Sequence, residues 1–157
     1  MPSQIIWVVV LILMLMMVFN TNPNTINMDG VKGRALSNAI AASTDGLMLS
    51  RNSYQQLNSQ TLPIDDWKIE LRRNGVAIPK VSGFNFSYGA TPGYGYYFCV
   101  TPNTGNTGAS RFALNQAYDR MGYQVYLNET CGSTESAEPA TPLSDLNGLA
   151  LTVYTGD

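Results

Sequence analysis

Histidine is missing altogether from this 157-residue chain, and charge is scarce: 9 basic and 11 acidic residues make up 13% of it, against ~25% in an ordinary globular protein. Without histidine, neither a Ser-His-Asp triad nor a histidine-ligated metal can be built from this chain alone. Two cysteines are too few for a disulfide-dense miniprotein. A net charge of −2 is not the balance of a nucleic-acid binder, and 45% apolar residues is too many for a disordered chain. The shortage of charge is uneven. No charged side chain precedes Asp29, and no basic residue follows Arg120. Uncharged polar residues stand in their place: 14 Asn, 12 Ser and 13 Thr. The length suits one domain of ordinary size.

The charge-free start holds an unbroken apolar run, Ile5–Phe19, IIWVVVLILMLMMVF. As a helix it would span roughly 22 Å, and its uncharged polar flanks extend what can enter a ~30 Å hydrocarbon core. Trp7 and Phe19 stand near its ends, where rings favour the interface, with Ile5, Leu11 and Leu15 along it. Residues 1–19 therefore read as an uncleaved transmembrane anchor. A cleaved signal peptide is the lesser reading, since Met1–Gln4 has no Lys or Arg and no small-x-small site follows Phe19. A buried core helix ranks last, because a stretch apolar on every face needs protein all round it. Residues 20–30 read as a polar linker interrupted at Pro23, and 31–157 as the folded domain. The Lys/Arg rule slightly opposes export, because Lys32 and Arg34 follow the run; the cysteines argue for it.

Val31 to about Ser59 predicts a helix, with Leu36, Ala39, Ile40, Ser43, Leu47, Tyr54 and Leu57 on one face and Gly46 as a weak point. Trp67–Arg72 alternates and predicts a strand. Asn74-Gly75 then predicts a hairpin turn, with Val76–Ile78 as a short return. Phe84, Phe86 and Tyr88 predict a further strand, Gly89–Gly95 a turn, and Tyr96–Val100 a buried strand. Ala109–Met121 predicts a second helix, capped by Ser110 and ended by Gly122. Tyr123–Leu127 and Leu149–Tyr154 predict strands on either side of a long loop. The order implies an α+β domain: an antiparallel sheet with two helices packed on one face.

Cys99 ends an apolar strand, and Cys131 opens the long loop. Two readings stand. A disulfide would close about 33 residues and contribute roughly 3–4 kcal/mol on the chain-entropy model. Two buried thiols in a reducing compartment are the other. The first is expected, with its two strands as neighbours, and it implies an oxidising compartment.

Catalytic patterns are missing. Lys32, Lys68 and Lys80 do not sit in S-x-x-K, and Asp65-Asp66 reads as a structural lead into Trp67. Glu129, Glu135 and Glu138 lack calcium-loop spacing, and Gly89–Gly95 has no phosphate-loop lysine. The expectation is no catalytic residue, no metal and no cofactor. The aromatic series from Phe84 to Phe98 reads as sheet core, with tyrosine hydroxyls at its rim. Charge remains in two groups. Lys68, Arg72 and Arg73, with Lys80, gather mid-chain; Glu129, Glu135 and Glu138 fall in the last third. A solvated surface is the plainer reading. The sharper one is a polarised interaction surface for partners or neighbouring copies.

The apolar start at position 5, the helix GRALSNAIAASTDGLMLSRNSY from Gly33 and the DDWKIEL segment together resemble the small, membrane-anchored PilM proteins of type IVB thin-pilus systems on conjugative elements. The resemblance implies a single-pass inner-membrane protein, N-terminus inside and domain in the periplasm. It implies a non-enzymatic part in pilus biogenesis or conjugation, with other pilus or secretion-apparatus proteins and further copies of itself as partners, and no nucleic acid. It carries over no catalytic residue. A minor-pilin-like subunit is the nearest rival, although the basic leader, the Gly and the fifth-position Glu of a prepilin are missing. A glycan-handling envelope enzyme using the acidic loop and tyrosines is the alternative from another class.

Overall fold

The structure, a computed structural model, describes residues 28–156 except 104, 106, 123, 139 and 140. The anchor residues Ile5, Trp7, Leu11, Leu15 and Phe19 and most of the expected linker lie outside the described residues. Among the described residues, no helix is long and apolar enough to cross a membrane. They form an α+β fold of three helices and a four-stranded antiparallel sheet. In chain order these are α1 (Met28–Asn58), α2 (Trp67–Arg73), β1 (Phe84–Thr91), β2 (Gly95–Pro102), α3 (Gly108–Met121), β3 (Val125–Asn128) and β4 (Ala150–Tyr154). The sheet order is β1-β2-β4-β3.

The first helix runs unbroken through Gly46 and begins before Val31. Its buried stripe is Gly33, Ser37, Ile40, Thr44, Leu47, Arg51 and Tyr54, in alternating steps of four and three. This stripe differs from the expected apolar face. Leu57 is 77% exposed, and Leu36 and Ala39 are only partly buried. Close approach of α3 is the reason: a β-carbon at Gly33 would run into the Phe112 ring. Small residues win places that hydrophobicity alone assigns elsewhere. Thr44 is buried at no polar cost, because its hydroxyl donates to the Ile40 carbonyl at 2.9 Å.

The segment expected to be a hairpin strand is α2 instead, so three helices pack on the sheet rather than two. Trp67 and Leu71 fit either period, since they are four apart, and both are buried. Ile69 decides between them: it is 48% exposed, as a helix requires and a strand face forbids. Asn74-Gly75 closes the helix rather than turning a hairpin. Val76 N donates to Leu71 O at 2.9 Å, Gly75 N donates to Arg72 O at 3.0 Å, and Gly75 has φ +79°. That is a Schellman ending, which needs the same left-handed freedom as a hairpin turn. Residues 76–78 consequently form no strand.

Strand β1 continues through Gly89 to Thr91, past the point where a turn was expected. The reversal is confined to Thr91–Tyr94, with Pro92 and Gly93 (φ +82°) central and Tyr94 N on Thr91 O at 3.0 Å. Gly89 serves a different need: a β-carbon there would lie 2.5 Å from the Tyr97 hydroxyl on the facing strand. At α3 the cap is Thr107, one turn before the expected end. Thr107 and Ser110 bond each other's backbone N–H groups reciprocally, so Ser110 is the third helical residue and not the cap itself.

β2 and β3 are not neighbours, contrary to expectation, because β4 lies between them. β2 and β3 each pair antiparallel with β4 and so run parallel to one another. Parallel strands need a long crossover, which α3 supplies. The last strand of the chain then fills the gap.

The two sheet faces differ. Phe84, Phe86, Tyr88, Phe98, Val100, Leu151 and Val153 pack towards the helices, with Trp67 edge-on to Phe98 at 5.6 Å. Cys99, Thr152, Ser87 and Tyr154 face the other way. All five residues of β4 are buried, so that second face is covered too. The cover is a strap in the connection between β3 and β4, held at Cys131 and Gly132. Cys131 bonds Cys99 with a Cα–Cα distance of 5.7 Å. Gly132 N donates to Thr152 Oγ1 at 3.0 Å, and Gly132 O accepts from the Tyr154 hydroxyl at 2.8 Å.

Candidate functional site

Helix α2 is short, so its termini set its charge. Asp65 and Asp66 precede it and Arg72 and Arg73 end it, each complementing the helix dipole. With Trp67 and Leu71 buried, the other side chains must point outward. Arg73 pairs with Glu70, the one ion pair among the described residues. Lys68 and Arg72, one turn apart, are left facing a cleft of about 490 Å³. The chain then returns beneath them, and Lys80 joins from the connection to β1. Ser82, Asn85 at the start of β1 and Asn103 just past β2 complete its polar lining. The cleft has three cations and no acid. Lys68 Nζ rests over the Trp67 ring, 5.2 Å from its centroid, a contact that leaves its positive charge in place.

Two of the three basic residues anticipated as an interaction surface thus meet in one cleft, and Arg73 does not join them. The acids lie at the opposite side of the sheet. Glu129 is a structural staple, its carboxylate accepting Asn147 N at 3.0 Å. The Glu135 carbonyl accepts Asn128 Nδ2 at 3.1 Å beside β3, and Glu138 is exposed. The two groups form two separate surfaces and cannot act on one small ligand. Among the described residues, no group of three or more Asp, Glu, Cys or His is placed to hold a metal ion.

A second feature was missed in the sequence. Arg51, 4% exposed, sits on the buried stripe of α1. Its guanidinium lies 5.6 Å from the Tyr96 ring centroid, and Nη1 donates to Asn52 Oδ1 at 3.1 Å. Its Nε and the Tyr88 hydroxyl are buried without a hydrogen bond among the described residues. Burial pushes the Tyr88 phenol up from its ordinary value, and the nearby Arg51 opposes that shift. A small cavity of about 380 Å³ opens beside Arg51, lined by Asn52, Gln55, Gln56 and Thr155. The signal was present in the spacing, since 33, 37, 40, 44, 47, 51 and 54 form one continuous series. Arg51 was passed over because charged residues are rarely that deeply buried.

No protein-family description, curated protein or solved structure matches this chain.

Proposed function

We propose that the chain is a non-enzymatic docking component of a type IV pilus or conjugation apparatus. It is held in the inner membrane by Ile5–Phe19, with its N-terminus inside and its domain in the periplasm. The observation that carries the reading is the Cys99–Cys131 bond, since structural disulfides persist in oxidising compartments and are rare in the cytosol. The low charge and the abundance of Asn, Ser and Thr agree with an exported domain. The unpaired cationic cleft supports a binding role, because charge of one sign at a concave site selects and steers partners.

Reporter fusions after Gly156 test the location. A phosphatase active only outside the cytoplasm is expected to work there, and a reporter that matures only in the cytoplasm to stay dark; the reverse pattern overturns the reading. Deleting the gene tests the role, with loss of pili expected. A strain that still assembles pili and transfers DNA normally without the gene would refute it.

A further inference from the structure

We infer that the outer edge of β1 takes an extended, acidic segment of a partner protein as a fifth strand, its carboxylates lying against Lys68, Arg72 and Lys80. The inference rests on the docking reading above and names the chemistry of what docks. It begins with the sheet order, which makes β1 and β3 the two edges. The β3 edge is closed by the strap: Leu127 N donates to Ser136 Oγ at 3.1 Å, and Leu127 O accepts Ala137 N at 2.9 Å. At β1 the strap meets only side chains on the far face, with Thr91 Oγ1 donating to Gly132 O at 3.1 Å, and leaves the outer backbone alone. Among the described residues, only β2 hydrogen-bonds the backbone of residues 85–90.

An open edge invites pairing, and proteins usually blunt it with proline, a bulge or a charge on the strand itself. β1 has none of these. FNFSYGAT is uncharged, has no proline and keeps an unbroken register with β2 from Phe84 to Thr91. Eight residues make an edge of roughly 27 Å, long enough for specific strand addition. The nearest charges are not on the strand. They stand beside it, where the cationic cleft is lined by Phe84, Asn85 and Phe86 of β1 together with Lys68, Arg72 and Lys80.

That placement selects the occupant. A basic or neutral segment would leave three cations uncompensated, whereas alternate Asp or Glu residues of an added strand would meet them. Antiparallel pairing of two β1 edges would set each cleft, at Phe84–Phe86, beside the uncharged Thr91 end of the other copy and leave both sets of cations uncompensated. The acids of the strap are held away from this edge, since Glu129 holds Asn147 and the strap is tied to the far face through Cys131. The segment therefore belongs to another protein.

The test uses the full chain in detergent micelles and labelled peptides as long as β1, read by fluorescence anisotropy. One peptide alternates Glu with Val and Thr, and a second replaces Glu by Lys. Two further acidic peptides are N-methylated on one or the other alternate set of backbone nitrogens, which blocks pairing. The plain acidic peptide is expected to bind, about tenfold more weakly when salt rises from about 50 to about 500 mM. The Lys peptide is expected not to bind, and one methylated set to lose about tenfold in affinity. The chain carrying Lys68→Gln, Arg72→Gln and Lys80→Gln, with its helical content unchanged, should lose about as much. The inference is overturned if the acidic peptide does not bind, or if both methylated sets bind as well as the plain peptide. Equal binding by the Lys peptide or by the triple variant also overturns it, as does a dimer that forms without peptide and excludes it. Any of these results, with pili lost on deletion and the domain periplasmic, removes the added strand and leaves the docking reading in place.

Discussion

The two edges of the sheet solve the same problem in opposite ways. At β3 the unpaired Leu127 groups are satisfied within the chain, by a strap held through the Cys99–Cys131 bond. At β1 the backbone is left open and cations stand beside it. One edge is closed by one backbone and one side-chain hydrogen bond from a strap that a disulfide ties to β2; the other is guarded by charge beside it. The contrast teaches that stability and recognition are separated in this fold. Removing what closes β3 should cost folding free energy, while removing the charges at β1 should cost binding and little stability.

The largest effect expected is at the β1 side of the core. Trp67→Ala should destabilise the domain by about 3–5 kcal/mol, because Trp67 is 5% exposed and packs on Tyr88 and Phe98. Urea unfolding checks it, and a cost below about 1 kcal/mol would mean that α2 does not anchor the sheet. Next comes the strap. Cys99→Ala with Cys131→Ala should cost roughly 3–4 kcal/mol by the chain-entropy argument. Hydrogen exchange should then show Leu127 losing protection before the amides of β2 do; simultaneous loss would break the comparison. Ser136→Ala isolates one polar bond at that edge and should cost about 1–2 kcal/mol, by leaving the buried Leu127 N–H unsatisfied.

The pH response is smaller and has a part on each face, since burial also raises the Tyr97 phenol on the strap side. The Tyr88 phenol is raised in the folded state above its ordinary 10.0 by burial. The native state therefore keeps a proton that the unfolded chain releases. Its stabilising contribution is fully present below pH 10.0 and is lost as pH rises through the higher native value. Unfolding midpoints across that window should fall, and Tyr88→Phe should remove part of the fall, Tyr97 supplying the rest. The smallest stability effect is expected at the open edge. Lys80→Gln and Arg72→Gln should each shift stability by less than about 0.5 kcal/mol, since both are exposed and unpaired among the described residues. A larger loss would give the cleft a structural role.

Much of the fold was readable because it follows local patterns. The long helix, the strand at Phe84–Tyr88, the buried Cys99 strand and the second long helix declare themselves through periodicity and turn chemistry. Trp67–Arg73 misled because seven residues with apolar positions at 67, 69 and 71 fit period two as well as spacing four. The Asn-Gly signal that followed is shared by hairpin turns and helix ends. Of the site, the basic residues were legible as a group. That Lys68 and Arg72 join Lys80 at a sheet edge while Arg73 pairs with Glu70 was not, because it depends on a helix where a strand was expected.

By itself the sequence determined composition and local order. It contains no histidine, concentrates apolar residues at one end, places two cysteines on either side of the second long helix and codes each long element through its own hydrophobic period. Tertiary structure decided what local patterns cannot carry. It set β4 between β2 and β3, buried Arg51 on the stripe between Leu47 and Tyr54, drew Cys131 over the far face, and closed one edge while leaving the other open. The physical reason is that edges, neighbours and faces exist only between segments distant in the chain. Which backbone groups remain unpaired is fixed only once every strand has found its place.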